Sequence, residues 1–436
     1  MSDAAVARSR ASGPDAPAFS DGYRRYALCL LLVVYVFNFI DRQILSILLP
    51  PIKQEIELSD AQLGLLGGVA FAVFYSFAGI PIARWADKGV RRNIIALGLL
   101  IWSGMTALTG LARGFGGLAA ARVGVGIGEA AGSPPSHSLI SDYFPPERHA
   151  TALSIYSLGI PIGAAIGTLA GGWIGEYFGW RMAFMAVGVP GVVLAIVVRL
   201  TLREPPRGHS EGGSATDENT SAGEVIRFLL GLASFRHLSF AGSLHAFAGY
   251  GAALFIPSFF VRVHEFGLAE LSTYLFFIGL TGMIGTYLGG HLGDRYGLHD
   301  ARWYAWIPAI ATALGVPFAI AFYAWPTPYV ALMLAVPPTI LGPMYLGPTF
   351  AMTQTLVKLR MRATASAILL FILNLIGLGI GPWFVGALSD LLQPQFGAHS
   401  IRWALLFVVA IGNAWAAIHY LLAARTLRSD LRAKDR

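Results

Sequence analysis

The sequence predicts an all-α polytopic membrane protein: twelve transmembrane helices in two six-helix bundles. Three observations carry this prediction. The 436 residues are 55% hydrophobic and only 13% charged, whereas a soluble globular chain carries about 25% charged residues; mean hydropathy is +0.61. The apolar residues fall into runs of about 20, the length of a helix that crosses a bilayer, and none alternates like a barrel strand. Finally, the two halves of the chain resemble each other.

In order, residues 1–25 form a polar tail rich in Ala, Ser and Pro, with no cleavable signal pattern because the first apolar run is too long for one. A first bundle covers 26–202, with spans at 26–49, 62–83, 93–112, 118–142, 150–175 and 182–202. Residues 203–236 form a linker, and its stretch 204–223 (EPPRGHSEGGSATDENTSAG) has the composition of a mobile segment. A second bundle covers 237–424, with spans at 237–261, 268–291, 303–323, 328–356, 363–388 and 400–424, before a basic tail at 425–436.

The net charge of +7 does not point to nucleic acid, because the basic residues follow the positive-inside rule. Arg24 and Arg25 precede span one; Arg84, Lys88, Arg91 and Arg92 lie between spans two and three; Lys358, Arg360 and Arg362 lie between ten and eleven. The alternate loops hold only Lys53, Arg113, Arg181, Arg262 and Arg402. Both termini and the linker are therefore expected in the cytoplasm of a bacterial cell with the chain in its inner membrane. Cys29 is the only cysteine, which excludes intrachain disulfides and cysteine metal sites; no metal or cofactor is expected.

Internal duplication is visible at two places. Ala83–Asn93 (ARWADKGVRRN) closes span two and Gly289–Arg302 (GGHLGDRYGLHDAR) closes span eight, with Asp87 and Asp294 in matching positions. An offset of about 214 residues pairs Arg148 with Arg362, Gly163 with Gly377, Gly167 with Gly381, Gly172 with Gly386 and Glu176 with Asp390. Repeated six-span halves with a binding site between them are the logic of secondary transporters.

These loop segments resemble the signature G-x-x-x-D-[RK]-x-G-[RK]-[RK] of the major facilitator superfamily. The copy from Gly290 through Asp294 and Arg295 to Gly297 fits its first part; the first copy has Ala83 at the leading glycine and a shifted Gly89. The resemblance implies that Asp87 and Arg91 latch the cytoplasmic side in the outward-facing state, together with Asp142, and that Asp294 and Arg295 are their counterparts in the second half. Asn38–Arg42 (NFIDR), Arg122–Ala130 (RVGVGIGEA) and Tyr156–Gly167 (YSLGIPIGAAIG) are further similar to the Spinster branch, which moves lysolipids and sphingolipid phosphates. Organic-anion symporters of the superfamily share the first two of these motifs.

Four ionisable residues lie deep in the apolar runs: Asp41 and Arg42 in span one, Arg122 and Glu129 in span four. A charge near the bilayer centre costs about 2.5–3.5 kcal/mol on insertion scales, and such residues mark ion or substrate paths. Arg122 and Glu129 share a helix face, roughly 10 Å apart along the axis, with Gly124, Gly126 and Gly128 between them. Asp41 and Arg42 are about 100° apart and pair poorly with each other, so spans one and four are expected to exchange charges. A carboxylate that is alternately paired with arginine and isolated takes up and releases a proton; Asp41 and Glu129 are the proton-carrying candidates. Arg42 and Arg122 are the counter-ions or the hosts of an anionic headgroup, since guanidinium binds two oxygens at once. Asn38, Ser133 and His245 complete the candidate substrate site, with His137 a weaker candidate and His291 structural.

Glycines recur every fourth residue from Gly159 to Gly179 and from Gly285 to Gly297. These ridges predict close helix packing and a surface along which the halves could slide. Span ten, with VPPTILGPMYLGPTF at Val336–Phe350, is rich in Pro and Gly and is expected to bend as a gate. The Gly124/Gly126/Gly128 run is not a nucleotide loop, because it follows no strand. The functional expectation is a monomeric, proton-coupled carrier of an amphipathic anion, lysolipid or sphingoid-like, with a small organic-anion symporter as the alternative. The spans hold too few polar positions for a channel, and no catalytic motif of an enzyme is present.

Overall fold

The computed structural model describes residues 19–206, 222–358 and 361–434. Helix follows helix along the chain, with no strand among the described residues. Ten helical stretches are long and apolar enough to cross a membrane. Among the described residues these account for eleven crossings, because Thr364–Arg432 holds spans eleven and twelve, joined through Gly397–His399, and span four is the twelfth. Span four escapes that measure by being divided into Phe115–Glu129 and Ser133–Tyr143.

Span one (Asp21–Ile56) begins where the Ser20 hydroxyl accepts the Tyr23 N–H, and ends at Glu57, whose left-handed backbone (φ 55°) closes the helix. Several spans are interrupted, and each interruption has a local cause. Gly68 breaks span two into Asp60–Gly67 and Val69–Lys88. Pro134 and Pro135 lack the amide protons that would continue span four. Span ten, expected to bend, is four short pieces between Pro328 and Thr355. Span eleven widens to a π-turn at Asn374–Ile380 (NLIGLGI), a form that concentrates at functional sites.

The end of the linker is helical. Ala222–Gly231 is a helix, with Val225 and Leu229 fully buried beside Phe235, Leu238 and Leu356; Val225, Leu229 and Leu232 have the spacing of one helix face. Most of the stretch expected to be mobile, 204–223, lies outside the described residues. Its first residues are held: Glu204 pairs with Arg91 at 2.7 Å, and the Pro205 carbonyl accepts from the same guanidinium.

The halves meet mainly toward one end. The end where both termini lie is called the termini face here, and the other the far face. Toward the far face, spans two and eleven and spans five and eight pack closely. The polar contacts joining the halves there include Arg262 of span seven with Asp60 (2.7 Å), Ser389 with Asp60 (2.7 Å), the Ala61 amide with Asp390 (2.8 Å) and the Ala269 amide with Glu176 (2.7 Å). Toward the termini face, Val69–Lys88 packs on Asn374–Ile380 but barely touches Arg362–Leu373, and Pro146–Ser157 barely touches span eight. The halves therefore part toward the termini.

The glycine ridges do pack helices closely, but inside each half rather than between halves. A Cβ on Gly159 would lie 2.9 Å from the Tyr35 side chain, on Gly167 2.9 Å from the Ile40 backbone, and on Gly171 2.7 Å from Ile47. Gly285 and Gly289 likewise face Ile340 and Met344 of span ten. The expected sliding surface is thus corrected: the ridges hold span five on span one and span eight on span ten. Gly167→Leu should lower the thermal stability of the detergent-solubilised protein by the cost of overpacking, about 1–3 kcal/mol. Gly290→Leu, where nothing lies within 4 Å of a new Cβ, should leave the melting temperature nearly unchanged.

Candidate substrate and ion site

Spans one and four exchange charge as the sequence leads one to expect. Arg42 Nε donates to Glu129 Oε2 at 2.6 Å; the Glu129 side chain is fully buried and that of Arg42 is 24% exposed. Three rings surround the same guanidinium: Phe39, Phe71 and Tyr75, with centroids 5.0, 4.8 and 4.9 Å from its central carbon. Cation–π attraction of this kind contributes about 0.5–2 kcal/mol, most where water is excluded. Asn38 lies beside Glu129, whose second oxygen has no hydrogen-bond partner.

Arg122 completes the cation pair without finding a carboxylate. Its Nε donates to the Leu66 carbonyl at 3.4 Å and its Nη1 approaches the Asp41 carbonyl at 3.5 Å, while Phe71 lies 5.3 Å away. The Leu66 carbonyl is free to accept because the break at Gly68 removes the helical amide that would have used it. Asp41 is different. It is 1% exposed, both carboxyl oxygens lack a hydrogen-bond partner, and the Thr106 hydroxyl faces it outside hydrogen-bond geometry. The expected exchange is therefore half realised: Glu129 is paired and the Asp41 carboxyl is not.

Arg42 and Arg122 open on a cavity of about 160 Å³ between the halves, lined also by Phe39, Gln43, Tyr250 and Pro382. It adjoins two more apolar spaces. One, of about 270 Å³, lies between spans five and eight and shares Gln43 and Ala253 with the first. The other, of about 190 Å³, lies inside the second half and also shares Ala253; Ala248, Phe322, Tyr323 and Val409 form part of its wall. Its polar groups include His245, whose Nε2 is 3.0 Å from the Gly342 carbonyl, and Asn413, whose side-chain oxygen is buried without a partner. One cationic pocket thus lies beside two apolar ones.

The remaining candidates are scattered. Ser133 sits at the restart of span four near Tyr35 and Tyr156. His137 is exposed and packs edge-on against Tyr156 at 5.4 Å, and His291 stacks on Tyr287 at 5.7 Å.

Residues 31–382 match the Major Facilitator Superfamily. An MFS-type efflux pump of Mycolicibacterium smegmatis is 35% identical over 93% of this chain and 94% of its own. Protein spinster homolog 3 of Danio rerio is 25% identical over 97% and 89%; the hexuronate transporter of Bacillus subtilis is 26% identical over 63% and 65%. A crystal structure of a bacterial homologue of the human lysosomal transporter Spinster, inward-facing and unoccupied, superposes with a TM-score of 0.88 at 34% identity, covering 94% of this chain and 99% of that one. The chain belongs to the Major Facilitator Superfamily. The likeness to the Spinster branch read from its motifs is borne out.

Within this superfamily member, the signature-loop residues are not joined across the halves. Arg91, 1% exposed, pairs with Asp142 and donates to Ser138 at 2.7 Å in the first half, and pairs with Glu204 at the start of the linker. Asp87 is exposed and makes no ion pair among the described residues. Asp294 lies 3.5 Å from the Tyr304 hydroxyl, and Arg295 lies over Tyr296. Sequence reading missed the polar cluster at the far face: Asp60 accepts from Lys53 at 2.5 Å, from Arg262 and from Ser389. The signal available was Asp60 at a helix start preceded by Ser59.

The two central carboxylates should respond differently to neutralisation. Glu129→Gln leaves Arg42 without a counter-ion and should cost about 2–3 kcal/mol of stability, below the fully buried value because Arg42 meets the cavity. Asp41→Asn removes no ion pair and should change stability by less than about 1 kcal/mol. Thermal unfolding of both variants in the same detergent checks this; equal losses would contradict the assignment.

Proposed function

We propose that the chain is a proton-coupled secondary carrier that works by alternating access on an amphipathic anion of lysolipid or sphingoid type. The observation that carries this reading is the contrast around one cavity: a buried and a partly buried arginine on its wall, apolar spaces beside it, and an unpaired buried acid one residue from Arg42. Arg42 and Arg122 receive the anionic headgroup, with Asn38 and Ser133 nearby. The hydrocarbon tail enters the second half, where His245 and Asn413 are the polar groups at hand.

The proton step uses competition for arginine. An ionised carboxylate with no partner in an apolar interior is heavily penalised, so Asp41 is the group suited to hold a proton in this conformation. A headgroup that engages Arg42 releases Glu129, which then takes a proton in its turn. The basic loops support a termini face in the cytoplasm of an inner membrane; on that orientation the halves part inward, as in the inward-facing relative. On closure of that face, Asp87, Arg91 and Asp142 form the latch, with Asp294 and Arg295 their second-half counterparts. The monomer contains a complete site.

A small organic anion is the second reading, favoured by the likeness to a hexuronate transporter. Proteoliposomes containing the purified protein separate the two: a lysophospholipid should move and a hexuronate should not, and equal rates would sink the lipid reading. In the same vesicles Asp41→Asn should abolish acceleration by an imposed proton gradient; unchanged acceleration would defeat the coupling role.

A further inference from the structure

The far face is held shut by a device that occurs twice. In each half a glycine and an acid stand one helical turn apart: Gly172 and Glu176 in span five, Gly386 and Asp390 in span eleven. Residues so spaced lie on one face of a helix. Each pair meets the start of a helix in the opposite half. Glu176 accepts the Ala269 amide at 2.7 Å in the first turn of span eight. Asp390 accepts the Asp60 and Ala61 amides at 2.9 and 2.8 Å in the first turn of span two. Span eight has no side-chain cap of its own, Gly267 being its N-cap residue. In span two, Ser59 caps the third amide, so Asp390 supplies the acceptor for the first two.

The glycines make the contact possible. A Cβ on Gly172 would meet the Leu268 carbonyl at 2.6 Å, and one on Gly386 would strike the Asp60 backbone and lie 2.9 Å from the Ala61 nitrogen. Gly267 opens the same space from the other side, since a Cβ there would lie 2.9 Å from Glu176 Oε2. Unpaired amides and the dipole make a helix start favourable for an anion. Because each acid and its amides belong to different halves, the bonds exist only while the halves touch at this face.

We propose that Glu176 and Asp390 are matched closing residues, each capping in trans the first turn of a helix in the other half, and that opening of the far face releases both caps. The proposal rests on the alternating-access reading. Its two-fold repetition makes closure symmetric although the intramembrane charges are confined to one half. Asp60 adds to one side only, through Arg262 and Lys53.

The test reads a distance, so it can fail while transport and proton coupling stand, and the reverse. Spin labels on cysteines at exposed Arg113 and Gln395, in a Cys29→Ser background of the full chain in nanodiscs, report separation of the halves at the far face. Glu176→Gln or Asp390→Asn should raise the ratio of open to closed distances by about fivefold, the low end of usual coupling between sites. The double variant should raise it further, and Glu176→Asp should partly restore it. A double variant with wild-type distances would overturn the proposal. If the double variant does not fold, hydrogen exchange of the wild-type protein decides: the amides of Asp60, Ala61 and Ala269 should share one opening ratio. Protection that persists at one helix start while the other exchanges would overturn it equally.

Discussion

A guanidinium in a membrane interior stays charged, and one left without an anion carries a penalty that few folds tolerate. Arg42 therefore constrains everything around it. Glu129 must reach it from span four, which places that helix across span one. Phe39, Phe71 and Tyr75 must present ring faces to it. The break in span two at Gly68 supplies a carbonyl to Arg122 so that the second cation does not compete for the same carboxylate. With Arg42 paired to Glu129 and Arg122 held against backbone carbonyls inside the first half, the second half can be apolar where it meets the cavity.

The crossings, the duplication and the charge exchange between spans one and four were legible in the sequence because each depends on local composition or short-range spacing. A run of twenty apolar residues has few alternatives to a membrane helix, and a charge inside it has few alternatives to a partner. Long-range details were not legible. Nothing in the spacing of Phe39, Phe71 and Tyr75 says that their rings converge on one side chain. Asp60 reads as an ordinary acidic residue at a helix start until Arg262, some two hundred residues later, is brought to it. The helix Ala222–Gly231 was hidden by the polar stretch before it, and the direction of the glycine ridges depends on packing partners that periodicity does not name.

The pseudo-symmetry of the chain is uneven in a way that separates scaffold from chemistry. Gly163 and Gly167 lie on span one against Val36 and Ile40, and their counterparts Gly377 and Gly381 lie on span seven against Ala246 and Phe247. The acids of spans five and eleven are likewise matched. The central charges are not: the place of Asp41 and Arg42 in span one has only apolar, small and weakly polar residues to answer it in span seven. Duplication has preserved what closes and packs the halves, whereas ionisation is kept in one of them.

Span one connects these two levels. It carries Asp41 and Arg42 at the cavity, the Ser46 hydroxyl that donates to the Ala253 and Leu254 carbonyls of span seven at 2.8 and 3.0 Å, and Lys53 on Asp60 at the far face. From Arg42 to Lys53 is about 16 Å of one helix, with Pro50 and Pro51 as its weak point before Lys53. A change in what Arg42 holds therefore acts on the same element that contributes to closure, with Ser46 between them on the opposing half. The Ser46 contact crosses the interface, the Lys53 contact reaches it through Asp60, and the third lies at the cavity. Such an element can be biased from both ends, which is the physical requirement for coupling a binding event to an opening one.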